Sequence, residues 1–143
     1  MRIYLDNCSF NRPYDSQVIT IKIETEAKLY VQELITKGQL DLVWSYALDY
    51  ENEQNPFREK RSRIGMWKQY AVENIKETES VLALGEYFVN EVGLKMWDAL
   101  HLACAIEGKC EVFLTTDRRV VNKCKNETKI RIINPIQFLE AIT

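Results

Sequence analysis

The sequence is short of several things at once. It holds one histidine, three prolines and five glycines in 143 residues. So few chain-breakers leave no room for a Pro/Gly-rich linker, and 46% apolar residues supply a real core, which excludes a disordered chain. One domain over residues 1–143 is expected. The four cysteines, Cys8, Cys104, Cys110 and Cys124, form no C-x-x-C pair and no cluster with the histidine. A structural zinc site is therefore unsupported, and free thiols are the simpler reading. No apolar run approaches the roughly 20 residues of a membrane span, and no basic stretch followed by an apolar one marks a secretory signal. A soluble, cytoplasmic protein with no membrane association is expected. The net charge of −2 gives no global electrostatic footprint for nucleic acid.

What is present is an alternation of strand and helix patterns. Arg2–Leu5 is short, apolar and β-prone, and it stops at Asp6. From about Ile19 to Lys37, Ile23, Ala27, Tyr30 and Leu34 recur at helical spacing, with Gly38 where a helix-ending glycine belongs. Leu40–Trp44 is a second strand, and Ser45 an N-cap for a helix carrying Asp49 and Glu51. Asn55-Pro56 breaks that helix. Phe57–Lys76 has Ile64, Trp67, Ala71 and Ile75 on one side and is expected as an amphipathic surface helix. Helices over Glu79–Val92, ended by Gly93, and Trp97–Glu107, capped by Gly108, come next. A strand over Glu111–Thr115, a short helix over Asp117–Lys125, a strand over Ile130–Ile133 and a helix over Pro135–Ile142 complete the chain. Alternation of this kind predicts an α/β fold with a parallel sheet covered by helices on both faces. Ligands of such sheets bind beyond the carboxyl ends of the strands, where strand order reverses.

Three acids fall at that edge. Asp6 ends the first strand, and Asp117 follows the strand Val112-Phe113-Leu114. Asp98 opens an otherwise apolar helix whose Ala99, Leu102, Ala103 and Ile106 should face the core. Taken singly, each acid has a bland explanation as a turn residue or helix cap. Together they are harder to dismiss, because crowded carboxylates repel and raise one another's pKa. A divalent cation removes that cost, and Mg²⁺ in particular selects carboxylate oxygens and water.

The runs Tyr4-Leu5-Asp6, Trp97-Asp98-Ala99-Leu100-His101-Leu102-Ala103 and Leu114-Thr115-Thr116-Asp117 resemble the PIN domains, especially the VapC-type toxins of toxin–antitoxin pairs. Asn11-Arg12-Pro13-Tyr14-Asp15 is similar to one bacterial branch of that family, and the likeness extends over nearly the whole chain. It implies a three-layer PIN-like sandwich with a central parallel sheet of four to five strands. It also implies a fourth acid on the second helix, for which Glu51 is preferred and Asp49 remains the alternative. The family usually opens Asp-Thr-Asn. Here Asn7 and Cys8 follow Asp6, so the small polar support of the first acid is changed, and Asn7 or Ser9 is expected to substitute.

The activity implied by the resemblance is Mg²⁺- or Mn²⁺-dependent cleavage of RNA. Asp6 and Asp98 would be direct ligands, with Glu51 and Asp117 completing the shell or holding a second ion. Such an ion activates water and stabilises the leaving oxygen. Arg12 and Arg118, with Arg119, Lys123 and Lys125, are candidates to follow the RNA backbone, and a solvated helix face is the competing account of the last group. Tyr14 and Trp97 are candidates for stacking on bases, with core packing the alternative for Trp97. His101 is expected as a hydrogen-bonded, half-buried residue in preference to an acid–base catalyst. Cys8 is expected to be small and buried, since thiolates suit Mg²⁺ poorly.

The implied partners are an RNA substrate, an antitoxin protein that covers the site, and a second copy of the chain. Phe57–Lys76 is a place for such packing. A PIN-fold module that binds RNA or protein with little catalysis is the alternative, and a structural protein whose acids only cap helices is a third.

Overall fold

The computed structural model describes residues 1–11 and 18–143. Its centre is a five-stranded sheet of β1 (Arg2–Leu5), β2 (Asp41–Ser45), β3 (Ala71–Ile75), β4 (Val112–Leu114) and β5 (Arg131–Ile133), ordered β3-β2-β1-β4-β5 with every pairing parallel. The helices are α1 (Asn7–Asn11), α2 (Ile19–Thr36), α3 (Tyr46–Glu53), α4 (Arg58–Met66), α5 (Glu79–Tyr87), α6 (Met96–Glu107), α7 (Arg118–Lys123) and α8 (Pro135–Ile142). Among the described residues no helix is long and apolar enough to cross a membrane.

The inner residues of the central strands are apolar, as sheets covered on both faces require. Ile3, Tyr4, Leu5, Leu42, Val43, Trp44 and Leu114 are all fully buried. From β1 the chain steps outward through β2 to β3, then crosses back to pair β4 with the other side of β1. Strand order therefore reverses between β1 and β4, and the crevice of the sheet lies beyond their carboxyl ends. The Asp6 N–H donates to the Leu114 carbonyl at 3.2 Å, so Asp6 is fixed at the start of that crevice.

Several expectations hold. Gly38 lies at φ +74 after α2. Its N–H reaches the Ile35 carbonyl and that of Gln39 the Leu34 carbonyl, which is a complete Schellman ending. Gly93 likewise ends the α5 region at φ +82, after a π-helical turn over Phe88–Val92. The Ser45 Oγ accepts from the Leu48 N–H as the N-cap of α3.

Two expectations are corrected. Phe57–Lys76 is not one helix: α4 stops at Met66, a 3-10 turn spans Trp67–Tyr70, and Ala71–Ile75 is the edge strand β3. Pairing with β2 overrides the helical spacing of Ile64, Trp67, Ala71 and Ile75, and an edge strand with only one buried residue lacks the alternation that would announce it. On α2 only half of the stripe Ile23, Ala27, Tyr30, Leu34 meets the core: Ala27 is buried and Leu34 packs partly against it. The inward face carries Glu24, Lys28, Val31 and Ile35, while Ile23 and Tyr30 are exposed. Lys28 lies buried against the helix, its Nζ donating to Gln32 Oε1 at 3.0 Å, and burial pushes its ammonium down to about 8.

α6 ends on Gly108, the expected cap. Gly108 has φ −76, and the left-handed residue is Lys109 at φ +57. Gly108 is required for a different reason: a Cβ there would stand 2.9 Å from Val43 Cγ1 and 3.2 Å from Ile75 Cδ1. The two positions should therefore respond in opposite directions. Lys109→Gly should raise stability by about 0.5–1 kcal/mol by relieving the left-handed strain, and Gly108→Ala should lower it by about 1–3 kcal/mol through overpacking against the sheet. Urea midpoints measure both, and stabilisation by Gly108→Ala would contradict the close approach of α6 to β2 and β3.

Candidate functional site

Four acids approach one another at the carboxyl edge. Asp6 follows β1, Glu51 lies on α3 directly after β2, Asp98 is in the first turn of α6, and Asp117 is the N-cap of α7 just past β4. Their mutual fields are felt. Burial pushes the Asp98 carboxyl up, and Asp117 and Glu51 add to the rise while His101 and Lys95 oppose it.

Asp6 is the extreme case, with 2% of its surface exposed. Burial raises its carboxyl to about 6. The Thr115 hydroxyl, the Ser9 N–H and the field of His101 pull the other way, and Asp98 adds a small rise. The Ser9 N–H donates to Asp6 Oδ1 at 3.0 Å, and Ser9 Oγ donates to the Leu114 carbonyl at 3.1 Å. Thr115 Oγ1 also accepts the Asp117 N–H at 3.0 Å, so one hydroxyl connects two of the acids. Support of the first acid thus comes from the Ser9 backbone and from Thr115, 109 positions away in the Leu114-Thr115-Thr116-Asp117 run, where the sequence pointed to Asp117 alone.

Glu51 faces inward. Its Oε1 lies 2.6 Å from His101 Nε2, and His101 Nδ1 lies 2.7 Å from the Tyr4 hydroxyl, which is in turn 2.6 Å from Ser45 Oγ. His101 is buried, as part of a hydrogen-bonded chain. Asp49 is engaged elsewhere: its Oδ1 accepts from Trp44 Nε1 at 2.9 Å and its Oδ2 pairs with Lys68 at 3.1 Å. Asp117 Oδ1 accepts the Arg119 N–H at 2.9 Å, so this acid does cap its helix, with its carboxylate also facing Asp98.

Between Asp98 and Asp117 a cleft of about 20 Å³ is rimmed by Lys95, Arg119 and Lys123, enough for about one water or ion. Among the described residues no three His, Cys, Asp or Glu side chains stand at the spacing that would grip a metal as they are. The donor chemistry suits a hard divalent ion. The described hydrogen bonds to Asp6 come from neutral donors, and the Asn7 Oδ1 beside it is buried with no hydrogen-bond partner among the described residues. Cys8 is exposed, not buried as expected. Its thiol is nevertheless pushed far up by partial burial and by the fields of Asp6, Glu51, Asp117 and Asp98. It stays protonated and is a poor ligand.

Of the candidate substrate residues, Arg118 is exposed and lines a polar cavity of about 230 Å³ with Thr115, Thr116, Asn122 and Asn134. Arg119 and Lys125 are exposed, and Lys123 donates to the Gly93 carbonyl at 2.8 Å. Trp97 is half-buried with its ring 6.4 Å from Tyr50. Arg12 and Tyr14 lie outside the described residues.

No protein-family model matches this sequence, and no curated protein is significantly similar to it. Solved structures are. FitAcB from Neisseria gonorrhoeae is similar at a TM-score of 0.60 and 14% identity, over 94% of this chain and 98% of that one. VapBC2 from Rickettsia felis, bound to a DNA fragment from their promoter, is similar at 0.60 and 11%, over 94% and 98%. PAE2754 from Pyrobaculum aerophilum is similar at 0.55 and 17%, over 99% and 96%.

The chain has the PIN-domain fold. The five parallel strands and the helices around them are the architecture that the resemblance implied. Within that fold, the sequence did not disclose the part taken by Tyr4, Ser45 and Thr115. They looked like strand and turn residues, and only the pairing of β1 with β2 and β4 brings them to the acids.

Burial of Asp6 has a consequence for stability. A carboxyl held at about 6 against an ordinary 3.8 binds its proton more tightly when folded. The fold is therefore unpenalised below pH 3.8 and loses stability as pH rises toward 6, by about 3 kcal/mol in full. Asp6→Asn cannot ionise and keeps an oxygen for the Ser9 N–H. In EDTA it should be more stable than the parent at pH 7–8 and should lose that advantage near pH 4, as read from urea midpoints. A variant less stable than the parent at pH 8 would show that the Asp6 charge is not costly.

Proposed function

We propose that this chain is a divalent-metal-dependent endoribonuclease that uses Mg²⁺ or Mn²⁺, with Asp6, Glu51, Asp98 and Asp117 as its acidic centre. The observation that supports this most is a buried Asp6 carboxylate sharing the crevice of a PIN fold with Asp98, whose carboxyl is pushed up by burial and by the charges of Asp117 and Glu51. A divalent ion bound there supplies Lewis-acid chemistry, activating water and neutralising charge on the scissile phosphate. Asp6, Glu51, Asp98 and Asp117 are the residues that would hold it.

The protein's own share is to orient and exclude. Thr115 and Ser9 fix the Asp6 oxygens, and the His101 bond takes one Glu51 oxygen and leaves the other for a second partner. Arg118 and Arg119, exposed beside the acids, face the approach of a phosphate chain. An antitoxin that covers the site in the cytoplasm belongs to the same proposal. It is supported by the likeness to FitAcB and VapBC2, and a homodimer is part of it.

A labelled single-stranded RNA incubated with the protein and Mn²⁺ should be cut, and EDTA should abolish cutting. Asp98→Asn should lower the rate by on the order of 100-fold or more with the fold unchanged by circular dichroism. Metal-independent cutting, or full activity in Asp98→Asn, would refute the assignment.

If Arg118 meets the RNA backbone, Arg118→Ala should weaken binding at low salt and flatten the slope of log affinity against log salt by about 0.7. An unchanged slope places Arg118 off the substrate path.

One observation favours a second reading, a binding module without catalysis: among the described residues no three ligands converge. RNA binding that persists with no Mn²⁺ uptake would decide for it.

A further inference from the structure

The Glu51 carboxylate is held by a buried imidazole. Its partner His101 is 1% exposed and is held on its other nitrogen by Tyr4, which is fully buried and also bonded to Ser45. Hydrogen-bond bookkeeping gives this chain a direction. An ionised carboxylate only accepts, so His101 Nε2 carries the hydrogen toward Glu51. In the neutral ring Nδ1 then accepts from the Tyr4 hydroxyl, whose oxygen accepts in turn from Ser45. Ser45 Oγ accepts the Leu48 N–H and so caps α3, the same helix that carries Glu51. The path thus closes on itself, from the start of α3 through β1 and α6 back to the second turn of α3.

We propose that His101 is a positioning residue that fixes the Glu51 carboxylate for the divalent ion, with Tyr4 and Ser45 fixing His101. This rests on the metal-dependent function proposed above. The placement of the three supports it: Tyr4 stands two residues before Asp6, His101 three residues after Asp98, and Ser45 ends the strand before Glu51. A shift of any of the three acid-bearing elements would pull on the chain. Burial makes it rigid, since an unpaired hydroxyl or imidazole there would carry its full desolvation penalty.

Because the protein has a single histidine, its imidazole signals need no assignment. In metal-free protein, nitrogen–proton correlation spectra should show the Nε2–H form, its proton shifted downfield and moved by Glu51→Gln and by Tyr4→Phe. The Nδ1–H form would overturn the proposal. Mn²⁺ affinity, read by electron paramagnetic resonance, should fall about 10–100-fold in His101→Ala. His101→Gln, whose amide nitrogen can take the place of Nε2, should recover most of the loss. In a Glu51→Gln background His101→Ala should have little further effect. An equal loss in both backgrounds would show that His101 does not act through Glu51, and would overturn the inference alone. Absence of Mn²⁺ binding in the parent would overturn the proposed function, and this inference with it.

Discussion

An ionised carboxylate stands where water scarcely reaches, at the end of the innermost strand, and much of the carboxyl edge is organised around it. β1 is flanked by β2 and β4, so its last turn is the deepest point of that edge. Leaving a charge there uncompensated costs several kcal/mol. The chain offsets part of that cost with neutral donors: the Ser9 N–H from the helix that Asp6 itself starts, and the Thr115 hydroxyl from the far side of β4. Neither removes the charge, so the site is left favouring a cation.

The second constraint is that the acids arrive on four different elements, whose relative positions, on the proposed function, must be kept to fractions of an ångström. The sheet does this for Asp6 and Asp117, because β1 and β4 pair directly and Thr115 joins the two. Glu51 and Asp98 lie on helices, which packing alone holds less closely. The buried path through Ser45, Tyr4 and His101 supplies for them what the ladder supplies for the strands. It also explains a buried histidine in a helix whose inward face is otherwise alanine, leucine and cysteine.

What could be read from the sequence follows from the range of the interactions involved. Local signals worked: Ser45 as a cap, Gly38 and Gly93 as stops, and the apolar strands bounded by acids. Asp6 and Asp117 were legible because strand ends of a parallel sheet share an edge whatever the strand order, and Asp98 because it opens an otherwise apolar helix. Signals that depend on partners failed. β3 forms because β2 offers an edge, and nothing within Ala71–Ile75 says so. The face of α2 is set by what it packs on, and the aliphatic stem of Lys28 can cover apolar surface as Ile23 would. At the end of α6, Gly108 was legible as a cap, but its close approach to Val43 and Ile75 was not. The Tyr4–His101 and Tyr4–Ser45 bonds span 97 and 41 residues, beyond any periodicity.

Net charge is a poor guide to this molecule for a related reason. Nineteen basic side chains face 21 acidic ones, which looks unfavourable for a partner made of phosphates. Four of those acids are committed to one crevice, and the remaining balance is 19 against 17. Lys95, Arg119 and Lys123 line the rim of the Asp98–Asp117 cleft, and Arg118 lies on the neighbouring cavity. On the proposed function, an approaching phosphate meets rim cations first, and it meets the carboxylates only through the ion that covers them. Without the ion, the same carboxylates repel the scissile phosphate at the distance where Coulomb terms in a partly dry cleft are largest. Metal occupancy then governs binding of the reacting phosphate as well as its cleavage, and the rim alone sets the encounter.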